Sequence, residues 1–255
     1  MKPIKQSFPW GAFCRGSVTP EQLVKTAKET GYASIEMLKE ENYKLVKDAG
    51  LDIAIVGGHG TLRDGLNNPD NHDRIEKELR ASIDRAVAWG IPSLIVFSGN
   101  RNGIGDIEGA RNCAAGLKRV VGYAEEKKVT LCMELLNSKV NHPDYQCDHT
   151  NWGVMMCDLV GSERVKLLFD IYHMQIMEGD LIRNIETYID YIGHFHTAGN
   201  PGRKDMDDQQ EIYYPAIARK IASLDYDGYV GHELSPKGDP LEAMKASYAV
   251  WDVTG

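Results

Sequence analysis

Apolar residues along the chain gather in two alternating patterns. Short, nearly unbroken runs such as LIVF (94–97) and VKLLF (165–169) are followed by segments whose apolar positions return every three or four residues, as at Leu79, Ile83, Ala86 and Val87. The first pattern marks parallel strands covered on both faces, and the second marks amphipathic helices. On this reading strands fall at 8–13, 33–37, 52–56, 93–97, 129–136, 165–171, 191–196 and 229–234. The helix after the first strand opens at Thr19-Pro20-Glu21, an N-cap Thr followed by Pro at the first helical position, and stops at Gly31. Further helices are expected at 41–49, before Gly90, at about 109–127, within 151–160, and at 181–188, 215–224 and 240–251. The polar, turn-rich stretch 62–73 reads as a long loop.

Strand and helix thus alternate through eight units in one continuous series. Eight such units fit a closed barrel better than an open sheet, so the expected fold class is α/β, a single (β/α)8 TIM barrel spanning 1–255. A doubly wound sheet is the competing architecture, but no GxGxxG follows the first strand. No Pro- or Ser-rich linker or low-complexity segment marks a second domain.

Charge narrows the partners. Lys and Arg number 29 and Asp and Glu 37, a net charge of −8, which opposes the phosphate neutralisation that drives nucleic-acid binding. No apolar run approaches the ~20 residues of a membrane helix, and the expected location is the cytoplasm. The five cysteines, Cys14, Cys113, Cys132, Cys147 and Cys157, contain no CxxC pair, so reduced, buried thiols are expected rather than disulfides or a structural zinc site.

In a barrel of this kind the chemistry sits at the C-terminal ends of the strands. Here those ends carry Glu134 and Asn137, then Asp170 and His173, then His194, His196 and Arg203, then His232 and Glu233, with Glu36 and His59 on the second and third strands. A charged or imidazole group inside an apolar strand is costly unless it is paired or bound to a metal. Four successive strands presenting acid, acid, His and acid make a hard, mostly oxygen donor set. It suits one divalent ion, Mn²⁺ or Mg²⁺ first, with Co²⁺ and Zn²⁺ as alternatives. Other residues have plainer readings. His194 faces the same side as His196 and supports it, and His232 points the opposite way from Glu233, into packing. His72, His142 and His149 read as surface residues, with His149 near a helix start, and Trp10 is either a pocket wall or core. His59, in a glycine-rich turn, is either a substrate contact or a turn element.

The segments MELLN, FDIYHMQ, HFHTAGNPGR and GHELSPKGDP resemble the hydroxypyruvate isomerase family of the xylose-isomerase-like barrels, with likeness from GHGTLRDGLNNP through the last strand. The resemblance implies that Glu134, Asp170, His196 and Glu233 are metal ligands, that His173 and Arg203 contact substrate oxygens, and that Glu211 lies at the pocket rim. It departs from the bacterial isomerases in one place: the triplet often HIQ there is HFH here, the ligand type used by ketose epimerases. The implied activity is an intramolecular oxidoreductase acting on hydroxypyruvate or a related small hydroxy-carbonyl acid through an enediolate, with Glu134 and Glu233 moving the proton. A ketose 3-epimerase acting on a free sugar is the alternative. An apurinic endonuclease-like metal hydrolase is the third reading, disfavoured by the acidic charge. The expected partner is a small hydroxy-carbonyl or sugar molecule, not nucleic acid or membrane, and a homo-oligomer is left open.

Overall fold

The computed structural model describes residues 2–253, which divide into two compact units. One holds the described parts of 1–54, 180–189 and 194–255; the other holds 55–179 and 190–193. The strands of the described residues, in chain order, are β1 (Lys5–Ser7), β2 (Ser34–Ile35), β3 (Asp52–Ile53), β4 (Ile55–Gly57), β5 (Ser93–Val96), β6 (Thr130–Glu134), β7 (Val165–Asp170), β8 (Ile192–Thr197) and β9 (Tyr229–His232).

In the first unit β1 and the 194–197 part of β8 flank β9 in parallel, so that Gly231 lies beside both Ser7 and His196. β2 pairs with β3 in parallel through Ser34↔Asp52 and Ile35↔Ile53. The first strand expected from sequence is displaced: β1 ends at Ser7, and Trp10–Phe13 is a short helix. Pro9 has no N–H to give a ladder, and the chain turns after it. The packing role of these aromatic residues survives the change, since Phe8 meets Phe13 and Tyr32 edge to face, with centroids 5.3 and 4.8 Å apart. Helix Pro20–Thr30 carries a capping box, in which Thr19 accepts from Gln22 N and Gln22 accepts from Thr19 N. It ends at Gly31, whose φ of +107° lies where a side chain is disfavoured. Helix Pro240–Trp251 has the bounds expected from sequence, with Asp239 as its cap.

In the second unit β4, β5, β6 and β7 run parallel in sequential order, each strand followed by helix. Their inward residues Ile55, Ile95, Cys132 and Leu168 form a fully buried layer with Phe97 against it. Each such aliphatic side chain contributes about 1.5–3 kcal/mol on burial. The strand expected at 52–56 is broken at Ala54 into β3 and β4. The helix expected at 109–127 is two helices, Asp106–Lys118 and Val121–Lys127, because Val120 is fully buried with φ −123°, outside the helical region. A helix not expected, Ile171–Met177, begins directly at the end of β7.

His72 is not a surface residue. It is 7% exposed at the start of helix His72–Trp89 and donates from Nε2 to Leu66 O at 2.9 Å. Gly116 makes the room, since a Cβ there would lie 2.9 Å from His72 Nε2. His142 is half-buried and packs edge-on against His173, and His149, also half-buried, pairs with Asp148 without capping the helix it precedes. No helix among the described residues is long and apolar enough to cross a membrane.

Candidate active site

Strand ends position the candidate groups in each unit. In the second unit Glu134 is the last residue of β6 and Asp170 the last of β7, both buried. Their carboxylates offer oxygens within 4.8 Å of each other. Asp170 also starts the following helix: Oδ1 accepts from Tyr172 N at 2.9 Å and His173 N at 3.2 Å. The side chain therefore has two separable roles, a helix cap and an anion beside Glu134.

His173, fully buried, is oriented by the loop after β6. Its Nδ1 accepts from Asn137 N at 3.2 Å and lies 2.5 Å from Asn137 Nδ2. An acceptor Nδ1 puts the ring proton on Nε2, which lies 3.6 Å from Asp170 Oδ2. His173 thus faces the acidic pair as an N–H donor. Asn137 is itself fixed, with Oδ1 accepting from Val140 N and Asn141 N. His59 behaves differently from a simple turn residue. Its Nε2 accepts from Phe97 N at 2.9 Å, so Nδ1 carries the proton, and this buried Nδ1 has no hydrogen-bond partner among the described residues. Burial pushes the His59 pKa down to about 4, and the ring is neutral at pH 7.

In the first unit His196 faces a carboxylate at each ring nitrogen, with hydrogen-bond geometry at Nε2 and a poorly aligned contact at Nδ1. Nε2 lies 2.9 Å from Glu36 Oε1, and Nδ1 lies 2.9 Å from Glu233 Oε2. His194, two residues earlier on the same face of β8, sits 2.9 Å from the other Glu36 oxygen, in contact though poorly aligned for a hydrogen bond. Burial alone would raise the pKa of Glu36, but the imidazoles of His194 and His196 hold it well below the usual carboxylate range. His232 is packed as expected, with Nδ1 toward Thr197 Oγ1 and Nε2 toward Gln6 Oε1.

The loop after β8 brings Arg203 back over the strand ends. Gly199 and Lys204 pair across it, and Gly202 and Arg203 take positive φ values of +94° and +56°. The turn delivers Arg203 Nη2 to 2.6 Å from Glu233 Oε2. Glu211 is exposed and bonds to Asn200 on this same loop, with its backbone N also donating to Asn200 O at 2.8 Å. A cavity of about 290 Å³ opens against Glu233 and Arg203 and is walled by Pro9, Ala12, Met37 and Leu234. Pro9 and Ala12 line it, and Trp10 does not.

The donor chemistry of each unit fits a hard divalent ion. Nδ1 of His196 and Oε2 of Glu233 are 2.9 Å apart, and two ligands at adjacent corners of an octahedron with ~2.1 Å bonds are about 3 Å apart. Glu134 and Asp170 supply a second oxygen pair. Glu36, His194 and His196 also bring donor atoms within 4.8 Å of one another, but both Glu36 oxygens already face imidazole nitrogens, so this group reads as a support. Sequence reasoning placed Glu36 at a strand end and gave it no role. The usable signal was a carboxylate within the apolar run ASIEML.

Comparison with known proteins follows the same lines. The pattern of the xylose isomerase-like TIM barrel family matches residues 24–252. The hydroxypyruvate isomerase of Escherichia coli is 37% identical over 106 residues, which is 40% of this chain and 41% of its own length. The 2-oxo-tetronate isomerase of Cupriavidus necator is 35% identical over 169 residues, 64% of each chain. Among solved structures, an AP endonuclease, family 2, from Brucella melitensis superposes with a TM-score of 0.85 at 21% identity, over 98% of this chain and 100% of that one. At that identity the likeness is one of fold, an α/β TIM barrel.

Proposed function

The chain belongs to the xylose isomerase-like TIM barrel family, and we propose that it is a metal-dependent isomerase of hydroxypyruvate or a closely related small hydroxy-carbonyl acid. Its isomerase class follows from the relatives it resembles; the substrate, the metal and the residue roles are the content of the proposal. Glu134, Asp170, His196 and Glu233, the set the family resemblance implies, are assigned as ligands of one divalent ion, Mn²⁺ or Mg²⁺. The observation that carries the reading is the oriented imidazole: His196 is held by Glu36 at Nε2 and offers Nδ1 beside the Glu233 carboxylate, the arrangement a metal-binding histidine needs.

Such an ion, when bound, supplies Lewis-acid stabilisation of negative charge developing on the substrate's oxygens. The chain's own groups do the rest. One of Glu134 and Glu233 removes the proton from the carbon beside the carbonyl, and the same or the other carboxylate returns it to the neighbouring carbon, through an enediolate form of the substrate. His173, with its proton on Nε2, donates a hydrogen bond to a substrate oxygen. Arg203 holds the carboxylate end, and its contact with Glu233 sets that end next to the proton-transfer group. His59 offers a neutral, buried N–H as a further donor, and Glu211 borders the entrance through its bond to Asn200.

The reading is tested by product analysis. Chelator-treated protein is given hydroxypyruvate or 2-oxo-tetronate, with and without restored Mn²⁺, and the isomer formed is quantified, an aldehyde from the first acid and a 3-oxo acid from the second. Conversion that depends on Mn²⁺ and vanishes in Glu134→Gln and Glu233→Gln supports the proposal. Metal-independent conversion, or none on either acid with Mn²⁺ bound, rejects it.

A further inference from the structure

We infer that Glu36 is the positioning residue of the proposed metal site: its buried carboxylate takes the Nε2 proton of His196 and thereby turns the Nδ1 lone pair toward the ion. This rests on the ligand assignment above and goes beyond it, because Glu36 is not a ligand.

A neutral imidazole carries one proton, and its position decides which nitrogen can bind a cation. In this structure a carboxylate stands beside each ring nitrogen, but only the contact at Nε2 is aligned as a hydrogen bond. Glu36 Oε1 lies 2.9 Å from Nε2 and Glu233 Oε2 lies 2.9 Å from Nδ1. Were the proton on Nδ1, His196 would have no lone pair there for an ion and would point its N–H at a poorly aligned Glu233 oxygen. Arg203, at 2.6 Å from the same Glu233 oxygen, already supplies that oxygen with a charged donor, so Glu233 draws the imidazole proton less strongly. Both Glu36 oxygens instead face imidazoles. The balance favours the proton on Nε2.

The surrounding backbone is shaped for this contact. Glu36 is fully buried, and its main chain is fixed on both sides, with Glu36 N donating to Phe8 O at 2.9 Å and Trp10 N donating to Glu36 O at 2.7 Å. Opposite it, β9 carries Gly231 in register with His196. A Cβ at Gly231 would collide with Glu36 Oε1 and stand 3.0 Å from His196 Cδ2, so a glycine here lets the carboxylate reach the ring. His194 holds the second oxygen and keeps the carboxylate from rotating away. Three separate features, an anchored backbone, a cradle with no side chain and a second imidazole, all serve one hydrogen bond to His196.

The test reads metal affinity and tautomer rather than turnover. Mn²⁺ binding is titrated by the electron paramagnetic resonance of the free ion for the parent, Glu36→Ala, Glu36→Gln and Gly231→Ala. The ring nitrogens of His196 are followed in ¹⁵N-histidine-labelled, metal-free protein. Loss of the outer partner of a metal-binding histidine weakens affinity by about 10- to 100-fold. That loss is expected for Glu36→Ala and for Gly231→Ala, which displaces the carboxylate. Glu36→Gln keeps an oxygen that accepts from Nε2 and is expected to recover most of the affinity, which a merely space-filling role would not distinguish by tautomer. The parent is expected to show the proton on Nε2, and Glu36→Ala to show it on Nδ1. Unchanged Mn²⁺ affinity in folded Glu36→Ala, or an Nδ1 proton in the parent, overturns the inference. A parent that binds no Mn²⁺ overturns the underlying metal assignment instead, while the nitrogen spectra still decide whether Glu36 sets the tautomer.

Discussion

Asp170 allows structure and chemistry to be separated at one residue. Its Oδ1 caps helix Ile171–Met177 through two backbone N–H groups, and its charge stands within 4.8 Å of a Glu134 oxygen. Two like charges at that separation repel by about 3 kcal/mol at an effective dielectric constant of ~20. Replacing Asp170 by Asn or by Ala removes that repulsion equally. The two variants differ in the cap, because Asn caps a helix about as well as Asp while Ala forfeits about 1 kcal/mol, within a range of roughly 0.5–2. In metal-free protein, urea unfolding is therefore expected to find Asp170→Asn at least as stable as the parent, and Asp170→Ala about 1 kcal/mol below Asp170→Asn. Mn²⁺ at 100 times its dissociation constant stabilises a protein that binds it by about 2.7 kcal/mol. The parent is expected to gain this increment and both variants to lose it. An Asp170→Asn protein that gains the full increment refutes the ligand role, and equal stability of the two metal-free variants refutes the cap.

The remaining expectations concern separate parts of the molecule. Thr19→Ala removes the capping box of helix Pro20–Thr30 and is expected to lower unfolding free energy by about 1 kcal/mol without changing Mn²⁺ affinity, as measured by urea titration. His59 has a folded pKa of about 4 against an ordinary 6.5, so the unfolded chain takes up a proton first as pH falls. Its contribution is complete above pH 6.5 and is lost progressively toward pH 4, in total about 3 kcal/mol at 1.36 kcal/mol per pH unit. Stability of His59→Gln measured across that window is expected to fall less steeply than the parent's by about this amount, and parallel curves would contradict it. Arg203→Lys replaces a planar fork with a point charge beside Glu233 and is expected to raise KM for an acid substrate by about tenfold, or about 1.4 kcal/mol, with a smaller change in kcat. An unchanged KM would remove Arg203 from the substrate's carboxylate end.

What could be read from the sequence was whatever short-range chemistry determines. The Thr19-Pro20 opening, Gly31 as a stop and the Pro240–Trp251 helix are local signals, and the structure has them where the pattern put them. Glu134 and Asp170 were legible as strand-end acids because a buried charge in an apolar run demands a reason. The run FPWGAF misled because aromatic residues favour strands, while Pro9 governs the backbone there. Helix Ile171–Met177 went unseen because the Asp170 cap that starts it was read only as a site residue. His72 looked like a surface residue because its neighbours are polar; the space left by Gly116 is a tertiary fact. Glu36 was hidden for the same reason, since its meaning lies in His194, His196 and Gly231, residues about 160 to 195 positions away along the chain.

The proposed activity moves a proton at the carbon beside a substrate carbonyl and needs a divalent ion to do it. The most direct measurement is proton NMR in D₂O of hydroxypyruvate, 2-oxo-tetronate and a set of free ketoses with Mn²⁺-loaded and metal-stripped protein, the Mn²⁺ removed before each spectrum is recorded. Deuterium entering that carbon in one of the two acids, only in the metal-loaded sample, is the predicted result. Exchange confined to a ketose would move the substrate to the epimerase alternative. No exchange in any compound despite bound Mn²⁺, or equal exchange in stripped protein, would contradict the account.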